Sequence, residues 1–300
     1  MNQDEDLFCA DLIESIENDD VVRLRNLFSR RLCTEIRVSY SKKFIHDPKD
    51  KISLLSLGAM LGSIKCVRFM LKRGVSFEGS KSVLQYACYG GNVKVFDEIA
   101  ALPIVNVNQN LFPSYWELSV RSGSIEMVKK LWMCNYELGK TKLERENLMR
   151  LAARLDNAEI MKFLKTVGIG ISAMESCIKE ALLCGAAKTL EYLIELGCNP
   201  YITVQSDMTP LMFAARKHYL DVIKILVAQK SINFQDPFGW TALHYGAESG
   251  DLEICQVLLE NGADVNKTTH IGMTAMHLAA NRGHNAVRDL LESMGGVMWI

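Results

Sequence analysis

A block of about 33 residues recurs along this chain, and a period of that size restricts the fold more than any other feature. TALHYGAESGDLEICQVLLENGADVN begins at Thr241, and TAMHLAANRGHNAVRDLLESMGG begins at Thr274. TPLMFAARKHYLDVIKILVAQKSIN begins at Thr209. Carried backwards, equivalent starts fall at Ala10, Ser53, Ser82, Ser114, Asn147 and Ser176. Two residues after each start the position is apolar: Leu12, Leu55, Leu84, Trp116, Met149, Ile178, Leu211, Leu243 and Met276. Five residues after, it is small: Ser15, Gly58, Ala87, Ser119, Ala152, Ala181, Ala214, Gly246 and Ala279. Seventeen after, it is apolar again: Leu27, Met70, Ile99, Leu131, Leu164, Leu193, Leu226, Leu258 and Leu291.

Each column has a physical cause. Ser, Thr or Asn at a start caps a helix by accepting a bond from an otherwise unpaired backbone N–H, and eight of the nine starts are of this type. Pro210 suits the first helical position, where its missing donor is harmless. Glycine nine residues on (Gly62, Gly91, Gly123, Gly185, Gly250, Gly283) marks a left-handed stop, and a second helix follows. The second helix also stops at glycine in several units: Gly74, Gly168, Gly197, Gly262 and Gly295. Neither helix can bury its apolar face alone, so stacked units must create the core.

The T-[PA]-[LM]-[HM] starts, with Gly239 to Asn266 and Gly272 to Leu291 matching best, resemble the ankyrin repeat family. The match is looser from Ser176 to Asn233 and loses the opening motif before that. The resemblance implies an all-α repeat solenoid of stacked antiparallel helix pairs with projecting β-hairpin fingers. It implies one array over 1–300, degenerate over 7–171 and better matched over 172–300, with about nine repeats. It also implies that His244 and His277 bond the threonine region of their own and neighbouring units. His284 holds a family position, and His218 stands where glycine is usual.

Composition narrows the function. Apolar residues make up 49% of the chain, enough for a core without metals or disulfides. A net charge of -1 disfavours a nucleic-acid-coating protein, which needs surplus Lys and Arg. The nine cysteines are odd in number and form no C-x-x-C, which points to free buried thiols in a reducing compartment, the cytoplasm or nucleus. The acidic N-terminus has no signal-peptide pattern, and no apolar run is long enough for a membrane span. Gly139-Lys140-Thr141 lacks the phosphate-loop glycine, since Cys134 stands at that position. No metal, nucleophile or cofactor motif is complete, so the expectation is a non-enzyme with no catalytic, metal or cofactor residues. Asn266-Lys267-Thr268 fits a glycosylation acceptor, by coincidence in a chain with no route to secretion.

Two segments depart from the period. The first interval is 43 residues, and its extra length, 33–52, reads as an enlarged finger with Arg37, Lys42, Lys43, Lys49 and Lys51. Ile36, Val38 and Tyr40 alternate as in a strand. The tail Val297 to Ile300 is apolar and is expected to fold back over the last helix pair.

Ankyrin partners contact finger tips and the exposed face of the first helix. Carried over by position, the resemblance selects Phe238, Trp240, Ile271 and Met273, with His270 beside them, as an apolar patch on the last fingers. It also selects Arg121, Arg154 and Arg216, with Lys217 and Arg282, as a basic concave face. The expected function is an intracellular protein-protein scaffold or adaptor, monomeric, whose partner is another protein. That partner offers an extended acidic segment and an apolar anchor near Trp240. The alternatives are an adaptor that recruits substrates to a ligase or kinase complex, and a host-directed effector of a parasite, bacterium or virus.

Overall fold

The computed structural model describes residues 3–30, 37–39, 51–75, 83–102, 112–134, 142–168, 174–200, 202, 207–227 and 232–298. The fold is an all-α repeat solenoid, and eighteen helices among these residues form nine successive pairs. In chain order the first five pairs are α1 (Gln3–Glu17) with α2 (Val21–Arg30), α3 (Leu54–Leu61) with α4 (Ile64–Lys72), α5 (Val83–Tyr89) with α6 (Val93–Ala100), α7 (Phe112–Ser122) with α8 (Ile125–Met133), and α9 (Lys142–Arg154) with α10 (Ala158–Thr166). The last four are α11 (Met174–Cys184) with α12 (Ala187–Glu195), α13 (Pro210–Lys217) with α14 (Leu220–Leu226), α15 (Ala242–Ser249) with α16 (Leu252–Glu260), and α17 (Ala275–Arg282) with α18 (Asn285–Ser293). The chain divides by packing into two compact units, Met1–Leu148 and Met149–Ile300, with the division inside α9.

Within the first unit α1, α3, α5 and α7 stack in one row and α2, α4, α6 and α8 in another. Within the second, α13, α15 and α17 stack, as do α10, α12, α14, α16 and α18. All residues of the three sequence columns are buried. Each large apolar side chain so buried contributes roughly 1.5–3 kcal/mol. The small column is where neighbouring elements meet: a Cβ on Gly246 would lie 3.1 Å from Ile254 Cγ2 and 3.2 Å from Cys255 Sγ.

The nine-residue offset is left-handed in every unit. Six positions are the expected glycines, and the other three are Asp19 (φ 50), Asp156 (φ 53) and His218 (φ 61). Asp and His are among the few side chains that tolerate this region. Their chemistry explains the exchange. At Gly62, Gly185 and Gly250 the next pair's side chain fills the space: Asn92 Nδ2 donates to Met60 O at 2.9 Å, Tyr219 Oη to Leu183 O at 3.3 Å, and His284 Nε2 lies 3.0 Å from Glu248 O. A Cβ on Gly250 would sit 2.5 Å from the His284 ring. Where the stop is aspartate, its carboxylate bridges forward, at Asp19 alongside a backward bond from Ser63 Oγ to Ile16 O. Asp19 Oδ1 accepts from Cys66 N–H at 3.0 Å, and Asp156 Oδ1 from Thr189 N–H at 2.9 Å. Both amides lie in the first turn of the next pair's second helix, which has no internal acceptor for them. His218 Nδ1 lies 2.9 Å from Asp251 Oδ2, whose other oxygen caps α16 at Ile254 N–H.

The start residues need correction. Ser53, Thr209, Thr241 and Thr274 stand as N-caps, but Ala10, Ser114, Asn147 and Ser176 lie inside α1, α7, α9 and α11. Those helices begin earlier because no T-P-type start stops them, and the added turns contain helix-compatible residues such as Lys142, Glu144 and Glu146. The first interval does hold a hairpin: β1 (Arg37–Ser39) pairs antiparallel with β2 (Lys51–Ser53), Val38 opposite Ile52. Ile36, Tyr40, Lys42, Lys43, Lys49, the start Ser82 and the tail residues Trp299 and Ile300 lie outside the described residues. The tail folds back as far as Val297, whose N–H donates to Asn266 Oδ1 at 2.9 Å, while Asn266 Nδ2 donates to Gly295 O at 3.0 Å. Asn233 makes the same pair of bonds, to Asp264 N–H and Gly262 O, so the tail occupies the position of a further finger's first strand.

Two substitutions test the joints. Gly246→Leu should cost about 1–3 kcal/mol by overpacking the small column. Asp156→Ala should cost more than Asp156→Gly, because alanine loses the forward bond and also strains the left-handed backbone by about 1–2 kcal/mol. Urea unfolding midpoints measure both.

Candidate interaction surface

The last two described fingers are rigid turns. Asp236 N–H donates to Trp240 O and Gly239 N–H to Asp236 O, each at 2.9 Å. Thr269 N–H donates to Met273 O and Gly272 N–H to Thr269 O, again at 2.9 Å. The sequence explains the first turn: a short carboxylate can reach amides two and four residues on. Asp236, buried, accepts Phe238 N–H and Trp240 N–H on Oδ1 and the Tyr245 hydroxyl on Oδ2 at 2.6 Å. Burial first, and the bond to Asp236 second, push the Tyr245 phenol well above its ordinary range. The two fingers are also tied together. His270 N–H donates to Phe238 O at 3.1 Å, and Gln235 Nε2 donates to Gly239 O and Thr268 O at 2.8 Å. Gly239 permits this approach, since it is left-handed (φ 80) and a Cβ there would lie 2.7 Å from His270 N.

His244 locks the base of the pair. Thr241 N–H points at Nδ1 from 3.1 Å, so Nδ1 carries a lone pair and the proton sits on Nε2. Nε2 then donates to Met273 O, 3.1 Å away on the next finger. Thr274 N–H meets His277 Nδ1 in the same way. Burial holds the His244 pKa below its ordinary 6.5, against the smaller raising effect of the Met273 carbonyl. The structural roles expected of both histidines fit this geometry.

The residues chosen from sequence separate into groups. Phe238 and Ile271 are 69% and 80% exposed, and His270 is exposed beside them. Trp240 and Met273 are only half-buried rather than open, because the Trp240 ring packs 5.0 Å from Tyr245 and 6.2 Å from His244. Phe234, 58% exposed, was not singled out by the repeat pattern because it lies before the finger turn. The basic row does not stand free as expected. Arg121 lies in the first unit and pairs with Glu117 at 2.8 Å, one turn back on its own helix. Arg154 lies 3.6 Å from Glu180, and Arg282 pairs with Glu248 at 2.5 Å. Arg216 and Lys217 differ. Both are exposed, and neither has a carboxylate within ion-pair distance among the described residues. Arg216 touches Met208 Sδ at 3.9 Å and Lys217 lies over the Phe213 ring at 6.0 Å.

The cysteines are free among the described residues, and burial pushes the Cys66, Cys88 and Cys255 thiols up to about 12. Such thiols remain protonated and poorly nucleophilic. Among the described residues no group of His, Cys, Asp or Glu is arranged to hold a metal, and no helix is long and apolar enough to cross a membrane.

Two measurements follow. Asp236→Ala strands three donors and should lower stability by about 2–4 kcal/mol, given that bonds to charged groups contribute roughly 1.5–3 kcal/mol each. An unfolded His244 takes a proton near 6.5, whereas the buried ring resists it. Acid therefore favours the unfolded chain: the contribution is full above that value and declines as pH falls below it. Thermal midpoints of wild type should fall with acidification through this window, and His244→Gln should flatten the dependence.

The family model for ankyrin repeats, three copies, matches residues 178–269. The chain is 38% identical over 76 residues to protein phosphatase 1 regulatory subunit 12A of Mus musculus, covering 25% of this chain and 7% of that protein. It is 32% identical over 119 residues to a protein named as a probable E3 ubiquitin-protein ligase, XBOS33, of Oryza sativa subsp. japonica, covering 38% and 23%. It is 25% identical over 174 residues to an L-asparaginase of Dirofilaria immitis, covering 56% and 30%. The chain thus spans less than a third of each of these relatives. Residues 178–269 thus match three ankyrin repeats, and the paired helices, left-handed stops and histidine-locked fingers are the features that the resemblance implies.

Proposed function

We propose that this chain is a protein-interaction module that seats a partner on the fingers and first-helix ends of its second unit. Ankyrin repeats are generally modules of this kind. One observation carries the reading: Phe238 and Ile271 stand exposed on turns that Asp236 and Thr269 hold rigid. Exposed apolar side chains on a stiff support lose little entropy on docking, which favours affinity. Arg216 and Lys217 add two uncompensated cations in the same unit. They fit an acidic extended segment whose apolar anchor meets Phe238 and Ile271, with Trp240 and Met273 beneath as support. Arg121, Arg154 and Arg282 already hold carboxylates and contribute less. The chain acts here by binding, not by catalysis.

A second reading is an adaptor that brings substrates to an enzyme complex. The matched segments of a phosphatase regulatory subunit and of the rice ligase favour it. Affinity purification of the full chain from cells, followed by mass spectrometry, tests the site. The pair Phe238→Ala and Ile271→Ala, and separately Arg216→Glu with Lys217→Glu, should each lose the main partner. For a purified partner, affinity should fall roughly tenfold or more. Arg121→Glu with Arg154→Glu should retain it. Identical partner sets from all variants would sink the reading.

A further inference from the structure

A second surface, independent of the fingers, lies on the outer helices of the first unit. Helices α2 and α4 pack side by side. Neither contains a carboxylate: α2 is VVRLRNLFSR and α4 is IKCVRFMLK, followed by Arg73. Neighbouring elements neutralise two of these cations. Arg23 pairs with Asp11 at 2.6 Å and Glu14 at 2.9 Å, and Arg68 Nε donates to Glu98 at 2.7 Å. Arg25, Lys65, Lys72 and Arg73 are exposed, and among the described residues no carboxylate lies within ion-pair distance of their side chains, although Asp19 accepts the Lys65 backbone N–H at 3.4 Å. Lys65, Phe69 and Lys72 follow helical spacing and so share one face of α4. The nearest acids on α6, Asp97 and Glu98, are already engaged with Lys130 and Arg68 and mark the patch's border.

The patch is also organised. The Arg73 guanidinium lies over the Phe69 ring at 5.5 Å and that of Arg25 at 6.0 Å. Phe69 is itself held edge-on to Phe28, centroids 5.5 Å apart. A guanidinium resting on a ring keeps its N–H fork free and loses part of its rotamer freedom beforehand. That fork matches a planar carboxylate in two parallel hydrogen bonds. Clustered cations without counter-charge also raise the local field for an anion.

We propose that the α2–α4 face docks an acidic segment of another protein, its carboxylates paired with Arg25 and Arg73 and flanked by Lys65 and Lys72. Charge complementarity selects this occupant. Duplex nucleic acid is typically held through many phosphate contacts, and the described residues of this face supply four unpaired cations. The Phe69 ring already has two guanidinium groups near it, which compete with a stacking base. A membrane surface calls for large apolar anchors, and on these two helices the exposed one among the described residues is Val22 alone.

The test uses the full chain carrying Arg216→Glu and Lys217→Glu, so that the finger surface does not compete. The probe is a fluorescein-labelled polyglutamate peptide, read by anisotropy over a salt series. A DNA duplex and phosphatidylserine vesicles are measured in parallel. Adding Arg25→Glu, Lys72→Glu and Arg73→Glu should weaken peptide binding roughly tenfold or more and flatten its salt dependence. Arg25→Lys with Arg73→Lys keeps the charge but removes the forks, and should give an intermediate loss. Circular dichroism melts confirm folding, and if the triple variant fails to fold, the lysine pair and Lys72→Glu alone decide. Equal peptide affinity across folded variants overturns the proposal. So does tighter binding of the duplex or the vesicles that the same reversals abolish.

Discussion

A pair of short helices has two apolar faces and only one partner helix, so the joint to the next pair carries the fold. Here the joint is a buried apolar seam plus one polar bridge at the left-handed stop. The bridge comes in two forms, and at Asp19 both are present, because Ser63 Oγ also donates back to Ile16 O. Glycine at the stop leaves room for Asn92, Tyr219 or His284 to reach back. Aspartate at the stop reaches forward, as Asp19 and Asp156 do. Either form satisfies backbone groups at a helix end that would otherwise stay unpaired. A stop that lacks glycine is therefore not a weakened repeat but one that gains a forward bridge.

The same logic of satisfied polar groups makes the fingers stiff. Asp236 satisfies two finger amides and a tyrosine hydroxyl, and His244 joins its own start to the next finger through both ring nitrogens. What the joints do not consume is left for partners. Phe238 and Ile271 project from the turns, while Trp240 is drawn into the packing beneath them. Charge follows the same division. Arg23, Arg68, Arg121 and Arg282 are held by carboxylates, whereas Arg216 and Lys217 in one unit, and Arg25 and Arg73 in the other, are not.

Period, column and stop were legible in the sequence because each is a local requirement repeated nine times. Leu12, Ala87 or Leu226 must be apolar or small whichever partner packs on them, so their type alone places them inside. The hairpin at 37–53 was legible from Val38 and its alternating neighbours. The starts at Ser114, Asn147 and Ser176 were not, because a residue able to cap a helix is equally able to sit inside one when the preceding turn is helical.

The sequence by itself determined that helix pairs must stack, where six of the first helices stop at glycine, and which residues fill the seam. Only the tertiary structure decided which charges remain free, because ion pairing joins residues such as Glu248 and Arg282, or Arg68 and Glu98, that lie about one repeat apart along the chain. It also decided that Asp19, Asp156 and His218 are bridges rather than lapses, since their partners at Cys66, Thr189 and Asp251 belong to the next helix pair. Local pattern constrains what a residue must avoid, and only packing across repeats fixes what it touches.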